Sequence, residues 1–418
     1  MNSTPFWAHL IPVVAVFAFF LLTTALLIWA ERRVVGRMQS RIGPNRIGPF
    51  GVLQTLVDGV KMFFKEDVTP SMVDRPVFNV APIIAVVSGF LAIAVIPIGG
   101  TVTIAGQEIT LQIADLEVGM LWFLAMSSLH VYSNFLAGWA SKSPYPLIGG
   151  VRSSAQMISY EIAQGLAIAS VFVYTGSLRV SDIVAGQAGD GLIAGMPGWY
   201  AIPLFPAFVI FLVGMVAEAG RPPFDLAEAE GELVAGFMTE YSGLRFGMFM
   251  LAEFMSVVVM SAAMVTLFFG GPSGPTFGLP DGIAWIMPIF WFVLKTSVFI
   301  FLFIWLRGSM PRYRYDKLMD LGWKVLIPVG LVWVLMTAGY VLLIQEGGLT
   351  ATTRVILAGI AGLIAIALVV VPTAGADQST PTDATGDDAT DDAGEAARAD
   401  RGDDEPTGAG TTGPGRNA

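Results

Sequence analysis

Residues 6–33 read FWAHLIPVVAVFAFFLLTTALLIWAERR, a run with no Asp, Glu, Lys or Arg until Glu31, Arg32 and Arg33 close it. About 20 apolar residues cross the hydrocarbon core of a bilayer as a helix, so this stretch reads as a membrane span. It lacks the basic start of a signal peptide, and no A-x-A cleavage site precedes Glu31, so it is expected to be a retained span. Eight further segments have the same character: 77–98, 118–140, 155–175, 200–219, 244–269, 283–306, 325–344 and 354–371. The fold class expected is therefore an all-α polytopic membrane protein of about nine transmembrane helices. The membrane domain is expected over 1–371, with a disordered acidic tail over 372–418.

Composition supports this. Of 418 residues, 54% are hydrophobic and 13% charged, against about 25% charged in soluble domains. There is no cysteine, which excludes disulfides, thiolate zinc sites and cysteine-ligated iron–sulfur clusters. His9 and His130 are the only histidines, so bis-histidine haem is not expected, nor is any other metal site. Any electron chemistry must then use a cofactor held by a partner or a diffusing substrate. No nucleic-acid partner is expected.

The net charge of −10 is concentrated in the tail. Residues 372–418 hold eleven acids and three arginines, a balance of −8, which leaves −2 for the rest. The tail is rich in Asp, Thr, Gly, Ala and Pro and has no aromatic residue, the composition of a solvated spacer; a docking role is the alternative.

The loops after the first, third, fifth and seventh spans carry seventeen Lys and Arg, while the opposite face carries only Arg179 and Arg354. Positive charge collects on the cytoplasmic side, so the N-terminus is expected outside and the C-terminal tail in the cytoplasm of a cell (plasma) membrane protein. The basic loops are also the long, patterned ones, and the chemistry is expected there.

In the first of these loops, Leu53, Leu56, Val57, Val60, Phe63 and Phe64 recur at helical spacing, with Gln54, Asp58, Lys61 and Lys65 opposite. This is an interfacial amphipathic helix over 51–65, either an anchor or the lip of an opening for a lipophilic substrate, or both. Before it, Arg-Ile-Gly-Pro occurs twice, at Arg41 and Arg46. Gly-Pro pairs forbid regular helix, and such backbone near a membrane must be buried in protein or line a cavity. The two arginines are either simple positive-inside charge, or groups that polarise a quinone oxygen or bind an acidic partner. In the second loop, Pro144 and Pro146 predict a rigid turn, with Ser153 or Ser154 capping the next helix.

The third loop is acidic: Glu218, Asp225, Glu228, Glu230, Glu232 and Glu240 face only Arg221 and Arg245. Asp225 and Glu228 have N-cap and N3 spacing after Pro222 and Pro223. The remaining acids suit a coupled cluster that takes up and passes on protons, unless the loop is merely solvated. The fourth loop interleaves Arg307, Arg312, Arg314 and Lys317 with Tyr313 and Tyr315, a pattern for lipid headgroups or an acidic subunit.

Charges inside a span are costly and usually functional. At about 1.5 Å per residue, Glu161 lies roughly 9 Å and Glu253 roughly 13 Å in from the cytoplasmic end of their spans. Lys295 is near the middle of its span and Glu218 near the inner end of another. Together they suggest a proton file, with pairing of Lys295 and Glu253 for helix packing as the alternative. His130 is more simply read as bonded to a neighbouring helix.

Three motifs carry a resemblance. ERRVVGRMQSRIGPNR at 31–46, AGRPPFDLAEAEGELVAG at 219–236 followed by EYSG at 240–243, and RGSMPRYRYD at 307–316 are similar to the signatures of the H subunit of the proton-translocating NADH:quinone oxidoreductases, respiratory complex I. The match runs in order over about residues 6–345. A secondary transporter should show a repeat between its halves, and none is visible beyond the short Arg-Ile-Gly-Pro duplication. The same features also suit the related subunit of a membrane-bound hydrogenase, or a scaffold whose acidic loop is merely solvated.

The resemblance implies a subunit that joins the membrane arm to the hydrophilic arm and forms, with the subunits holding the terminal iron–sulfur cluster, a chamber that a quinone enters from the bilayer. It implies that this chain binds no cofactor itself. FMN and iron–sulfur clusters would sit on peripheral-arm partners, antiporter-like membrane subunits would be the other partners, and quinone would be the substrate. Arg32, Arg41, Arg46, Asp58, Lys61, Arg221, Phe224 and Asp225 would belong to the quinone chamber and its entrance. Glu161, Glu218, Glu228, Glu230, Glu232, Glu240 and Glu253, with Lys295, would form the path that couples quinone reduction to proton translocation.

Overall fold

The computed structural model describes residues 5–104, 107–189, 198–225, 233–275 and 284–345. The expected ninth span at 354–371, the acidic tail, and Glu228, Glu230 and Glu232 lie outside the described residues. In chain order the helices are α1 (Phe6–Met38), α2 (Gln54–Phe64), α3 (Arg75–Ala92), α4 (Gly119–Ala140), α5 (Pro144–Thr175), α6 (Val180–Gly186), α7 (Phe205–Glu218), α8 (Gly243–Phe268), α9 (Ile286–Ser309), α10 (Tyr315–Asp320) and α11 (Ile327–Gln345). A π-helical turn, Leu321–Leu326, joins the last two.

Eight of the nine expected spans fall on helices, and six helical runs among the described residues are long and apolar enough to cross a membrane. The chain is a multi-pass membrane protein. Two expected spans fall short of that standard. Ser127, Ser128, His130, Ser133 and Asn134 lower the apolar character of α4. Helix α7 has 14 residues, about 21 Å of rise, less than a hydrocarbon core of roughly 30 Å. Residues 200–204, expected within that span, form turns, and the helix opens with Pro206 in its first turn. These two helices, polar or short, carry the groups described below.

Three other expectations are corrected. Helix α1 does not stop at the first charge but runs to Met38, because Glu and Arg are good helix formers and nothing breaks the chain before Gln39 and the positive φ of Ser40. Glu31, Arg32, Arg33 and Arg37 are therefore helical. Pro144 and Pro146 do not make a separate turn but start α5, since proline lacks only a hydrogen bond that the first turn does not need. Ser153 and Ser154 lie inside that helix rather than capping it; Ser154 Oγ donates to the Gly150 carbonyl at 2.8 Å. The described fold is otherwise helical, consistent with the all-α class, with one short antiparallel pair of Thr101–Ile104 (β1) and Gln107–Thr110 (β2), Thr101 opposite Thr110.

Helix α8 is the centre of the bundle. Two thirds (67%) of its apolar window is buried, against 28% for α1 and α9, which form the outer wall. Around it α3 packs on α4, α4 on α5, and α5 on α7 and α11. Small residues allow the closest approach, as is usual between helices in lipid. A Cβ at Gly138 of α4 would stand 2.4 Å from the Pro146 carbonyl oxygen of α5, and one at Gly149 would stand 2.8 Å from the backbone of Gly236. A Cβ at Gly165, further along α5, meets nothing within 4 Å.

These contacts make paired substitutions informative. Gly138→Ala is expected to destabilise the detergent-solubilised protein by about 1–3 kcal/mol through backbone overpacking. Gly165→Ala is expected to be neutral or slightly stabilising, from the lower helix cost of alanine. Unfolding midpoints followed by tryptophan fluorescence measure both.

Candidate functional site

The charged end of the bundle is built where the C-terminal half of α1, the turn after α7, the first turns of α8 and the end of α9 converge. Gly220, at φ +61°, lets the chain reverse after α7 in a left-handed conformation that suits glycine. That reversal carries Arg221 back beneath the bundle, where it is 4% exposed. Its Nη1 lies 3.6 Å from Glu31 Oε1 and its Nη2 lies 3.2 Å from Glu253 Oε1. The guanidinium sits over the Phe254 ring, 4.4 Å from its centroid. Glu31 also accepts a hydrogen bond from Arg307 Nη1. Two carboxylates and two guanidinium groups thus balance one another, which is what lets charge stay buried.

Glu31, Arg221 and Arg307 of this network line a cavity of about 570 Å³, with Arg32, Arg41, Val35, Phe246 and Met250. The volume falls in the range of small-molecule sites, roughly 300–1,000 Å³, and the lining combines apolar surface with a few convergent polar groups. Arg221 Nε, buried, has no hydrogen-bond partner among the described residues.

From Glu253 the polar groups continue inward. A second cavity of about 30 Å³ is lined by Glu253, Ser256, Glu218, His130 and Asn134. That is room for about one water with several polar neighbours. Glu218, 7% exposed, accepts a hydrogen bond from Ser127 Oγ on its Oε1, while its Oε2 has no partner among the described residues. Glu161 accepts one from Ser128 Oγ. Glu253, Glu218 and Glu161, read from the sequence as one file, are therefore brought together by three different helices. His130 is hydrogen-bonded to the backbone of Ala85 on α3, matching the expectation of a bond to a neighbouring helix.

Helix α2 lies beside α1 and has no buried residue; Leu56, Phe63 and Phe64 are 67–87% exposed. An uncovered apolar stripe of this kind suits a bilayer surface. Arg32 of α1 pairs with Asp58 of α2, which also accepts from Gln54 Nε2 at 3.0 Å and lies 3.7 Å from Lys61. Burial alone pushes the Asp58 carboxyl up. The hydrogen bonds from Arg32 and Gln54, with the charges of Arg32 and Lys61, outweigh it and hold the carboxyl below the usual carboxylate value of 3.8.

Other residues read from the sequence sit elsewhere. Phe224 is a core residue, its ring 5.3 Å from Tyr160 and 6.0 Å from Tyr313 by centroid, and it does not line the large cavity. Asp225 is half-buried beside it, and Arg46 is exposed on the turn before α2. Glu240 is half-buried on the turn before α8, and no described contact ties it to the carboxylate file. Lys295 is not paired with Glu253. Its Nζ donates to the carbonyls of Phe269 at 2.7 Å, Gly271 at 3.1 Å and Ser273 at 2.7 Å, beyond the C-terminus of α8, where the helix dipole favours a cation. Sixteen residues of α8 separate Glu253 from Phe269, roughly 24 Å.

Sequence reading missed Glu31, Arg307, Ser127 and Ser128. Glu31 was detectable: Val16, Phe20, Thr24, Leu27 and Glu31 form one buried stripe at helical spacing, and an acid that continues an apolar stripe must meet a cation. The serines gave no signal, because hydroxyls are common in membrane helices.

A bundle of membrane-crossing helices, with a cavity lined by Glu31, Arg221 and Arg307 at its charged end and further carboxylates within the spans, defines a multi-pass membrane protein. The chain belongs to the NADH dehydrogenase family, whose pattern matches residues 11–338. It is 54% identical to the H subunit of the NADH-quinone oxidoreductase of Frankia casuarinae over 340 residues, which cover 80% of this chain and 73% of that protein. It is 52% identical to the H subunit of the Frankia alni enzyme over 343 residues, 81% of this chain and 74% of the relative.

Two measurements test the site's construction. Glu31→Ala leaves Arg221 buried with half its counter-charge, and should lower stability by about 3 kcal/mol; Arg307, 39% exposed, adds little. Thermal unfolding in detergent reads the loss. For Asp58, whose folded value lies below 3.8, the stabilisation is present above that value and is lost as the pH falls through the lower folded one. Because the chain has no cysteine, spin labels placed by Met38→Cys and Phe63→Cys report the α1–α2 distance directly. The distribution should stay narrow from neutral pH to below 3.8, and Asp58→Asn should broaden it at every pH.

Proposed function

We propose that this chain is the quinone-chamber and proton-coupling subunit of an NADH:quinone oxidoreductase, and that the cavity beside Arg221 receives the quinone head. The observation that carries this reading is the order of groups: the cavity of about 570 Å³, Arg221 on its wall, Glu253 paired with Arg221, the water-sized cavity that Glu253 shares with Glu218, and Glu161 held on the serine next to the one that holds Glu218.

The residues fit a quinone. Phe254, Phe246, Met250 and Val35 offer apolar surface to the ring and the start of its tail, while the Arg221 and Arg307 side chains that line the same cavity offer positive charge to a ring oxygen. Helix α2, with its uncovered apolar face, frames the entrance from the bilayer, and Arg32, Asp58 and Lys61 hold it there. Arg41 on the chamber wall and Arg46 on the exposed turn face an acidic partner. NADH supplies electrons through FMN and iron–sulfur clusters on peripheral-arm subunits, and this chain holds no redox centre of its own. Two electrons and two protons convert the quinone to quinol.

The coupling follows from charge. A unit charge at 4 Å is worth about 4 kcal/mol at an effective dielectric of 20. Negative charge arriving on the quinone draws on the Arg221 guanidinium, which now serves Glu31, Glu253 and the substrate together. Glu253 loses part of its counter-charge and takes a proton, and the file through Glu218 and Glu161 passes protons on and biases the axis toward antiporter-like subunits. Glu228, Glu230, Glu232 and Glu240 belong, by the family resemblance, to the acids that serve this path. Lys295 anchors the end of α8 and stands outside it. The basic end of the bundle faces the cytoplasm and the N-terminus faces out across the plasma membrane, as the distribution of Lys and Arg requires.

Glu218→Gln in the intact complex, reconstituted in liposomes, tests this. NADH-driven quinone reduction and the proton gradient should both fall at least about tenfold, as for loss of a proton-transfer group. Electron transfer from NADH to a soluble acceptor, which needs only the peripheral arm, should persist. Normal quinone reduction and pumping in this variant overturns the reading.

A further inference from the structure

Ser127 and Ser128 are consecutive on α4, yet each binds a carboxyl from a different helix. Ser127 Oγ donates to Glu218 on α7, and Ser128 Oγ donates to Glu161 on α5. Consecutive Cα atoms are about 3.8 Å apart. Two acids that enter from separate helices are thereby gathered onto one turn of a third. Ser127 is 7% exposed, as is Glu218, so water does not replace this contact from bulk.

The surroundings of the two hydroxyls differ. Ser128 has two acceptors in reach, Glu161 Oε1 and the Leu124 carbonyl at 3.1 Å. A hydroxyl carries one hydrogen to donate and two lone pairs to accept with. When Glu161 is ionised, the Ser128 hydrogen points to the carboxylate. When Glu161 is protonated, its own O–H donates to Ser128 Oγ, and the serine hydrogen turns to Leu124. Each state has its hydrogen bonds complete. For Ser127 no such carbonyl contact is found among the described residues; it fixes Glu218 by Oε1, and the Glu218 side chain, with the Gln164 amide beside it, lines the small cavity shared with Glu253.

We propose that Ser127 and Ser128 are positioning residues of the carboxylate file: together they hold Glu218 and Glu161 on one turn of α4, and Ser128 lets Glu161 gain or lose its proton without losing a hydrogen bond. This rests on the proton-coupling reading above. A proton passing from Glu218 to Glu161 breaks one carboxyl O–H bond and forms another. The serine hydroxyls reorient, and neither gains nor loses a hydrogen overall. A merely structural serine would hold the helices together equally well in both states, and its effect would not depend on carboxyl protonation.

The test uses the intact complex in liposomes, with Ser128→Ala, Ser128→Thr, the double variant Ser127→Ala/Ser128→Ala, and Glu218→Gln measured side by side. Electron transfer from NADH to a soluble acceptor counts assembled complex. Infrared difference spectra on quinone reduction follow the carboxyl C=O band, assigned to Glu161 by its loss in Glu161→Gln. Ser128→Ala should slow coupled quinone reduction and pumping about tenfold, the cost of leaving one buried acid without its partner in one protonation state. It should also shift the Glu161 band, and Ser128→Thr, which keeps a hydroxyl, should restore most of both. Should Ser128→Ala fail to assemble, Ser128→Cys, nearly isosteric with a weaker donor, takes its place with the same expectation. Parent-like turnover and an unchanged band in both alanine variants overturn the inference. So does a Ser128→Thr complex that assembles but stays as slow as Ser128→Ala. If Glu218→Gln is inactive while the serine variants are normal, only the serine assignment fails; if Glu218→Gln is itself normal, the path fails with it.

Discussion

A buried guanidinium needs counter-charge, and Arg221 finds its own on two helices at once. Glu31 comes from α1 and Glu253 from α8, while Arg307 of α9 completes the balance by holding the other side of Glu31. In a medium where an unpaired charge costs several kcal/mol, this four-membered network fixes how the outer wall of the bundle sits against its central helix. It also faces a cavity. The groups that secure the packing are therefore groups that a charged or polar ligand in that cavity would disturb.

The rest of the architecture follows from keeping that end polar while the bundle stays in lipid. Long apolar helices α1, α3, α5, α8 and α9 with the run Tyr315–Leu343 supply the hydrophobic mass. Helix α4 and short α7, which are more polar or too short to cross alone, pack on α5 and α3 rather than standing alone. Glycines at 138, 149 and 150 let α4, α5 and the Gly236 turn approach to backbone contact, so that Ser127, Ser128 and Asn134 reach partners across the interface. Helix α2 differs in burying none of its residues. It is held to the bundle by Arg32–Asp58, and its following segment by Asp67, which lies 2.6 Å from Arg245 on α8.

Much of this was legible in the chain, and the misses have physical causes. Apolar run length identified the spans, since lipid demands about 20 residues whatever their order. Rare intramembrane acids identified Glu161, Glu218 and Glu253. The start of α5 was misplaced because Pro144 and Pro146 read as breakers, although proline is harmless in a first turn. The β1–β2 pair was missed although TVTI and QEIT alternate polar and apolar residues on either side of a short break at 105–106, because a hairpin between spans is too short to stand out against hydropathy. Lys295 was grouped with the acids by depth alone, but depth along one helix does not say which neighbour it faces.

The amino-acid order by itself determined the membrane class, the amphipathic helix and the presence of costly acids within the spans, because each of these depends on composition and spacing along a single segment. The tertiary structure alone decided which charges meet: Glu31 with Arg221 and Arg307, Lys295 with the end of α8, and two adjacent serines with acids from separate helices. Those pairings join residues 91 to 276 positions apart in the clearest cases. Electrostatic partnership depends on distance in space and on burial, and no local pattern encodes either.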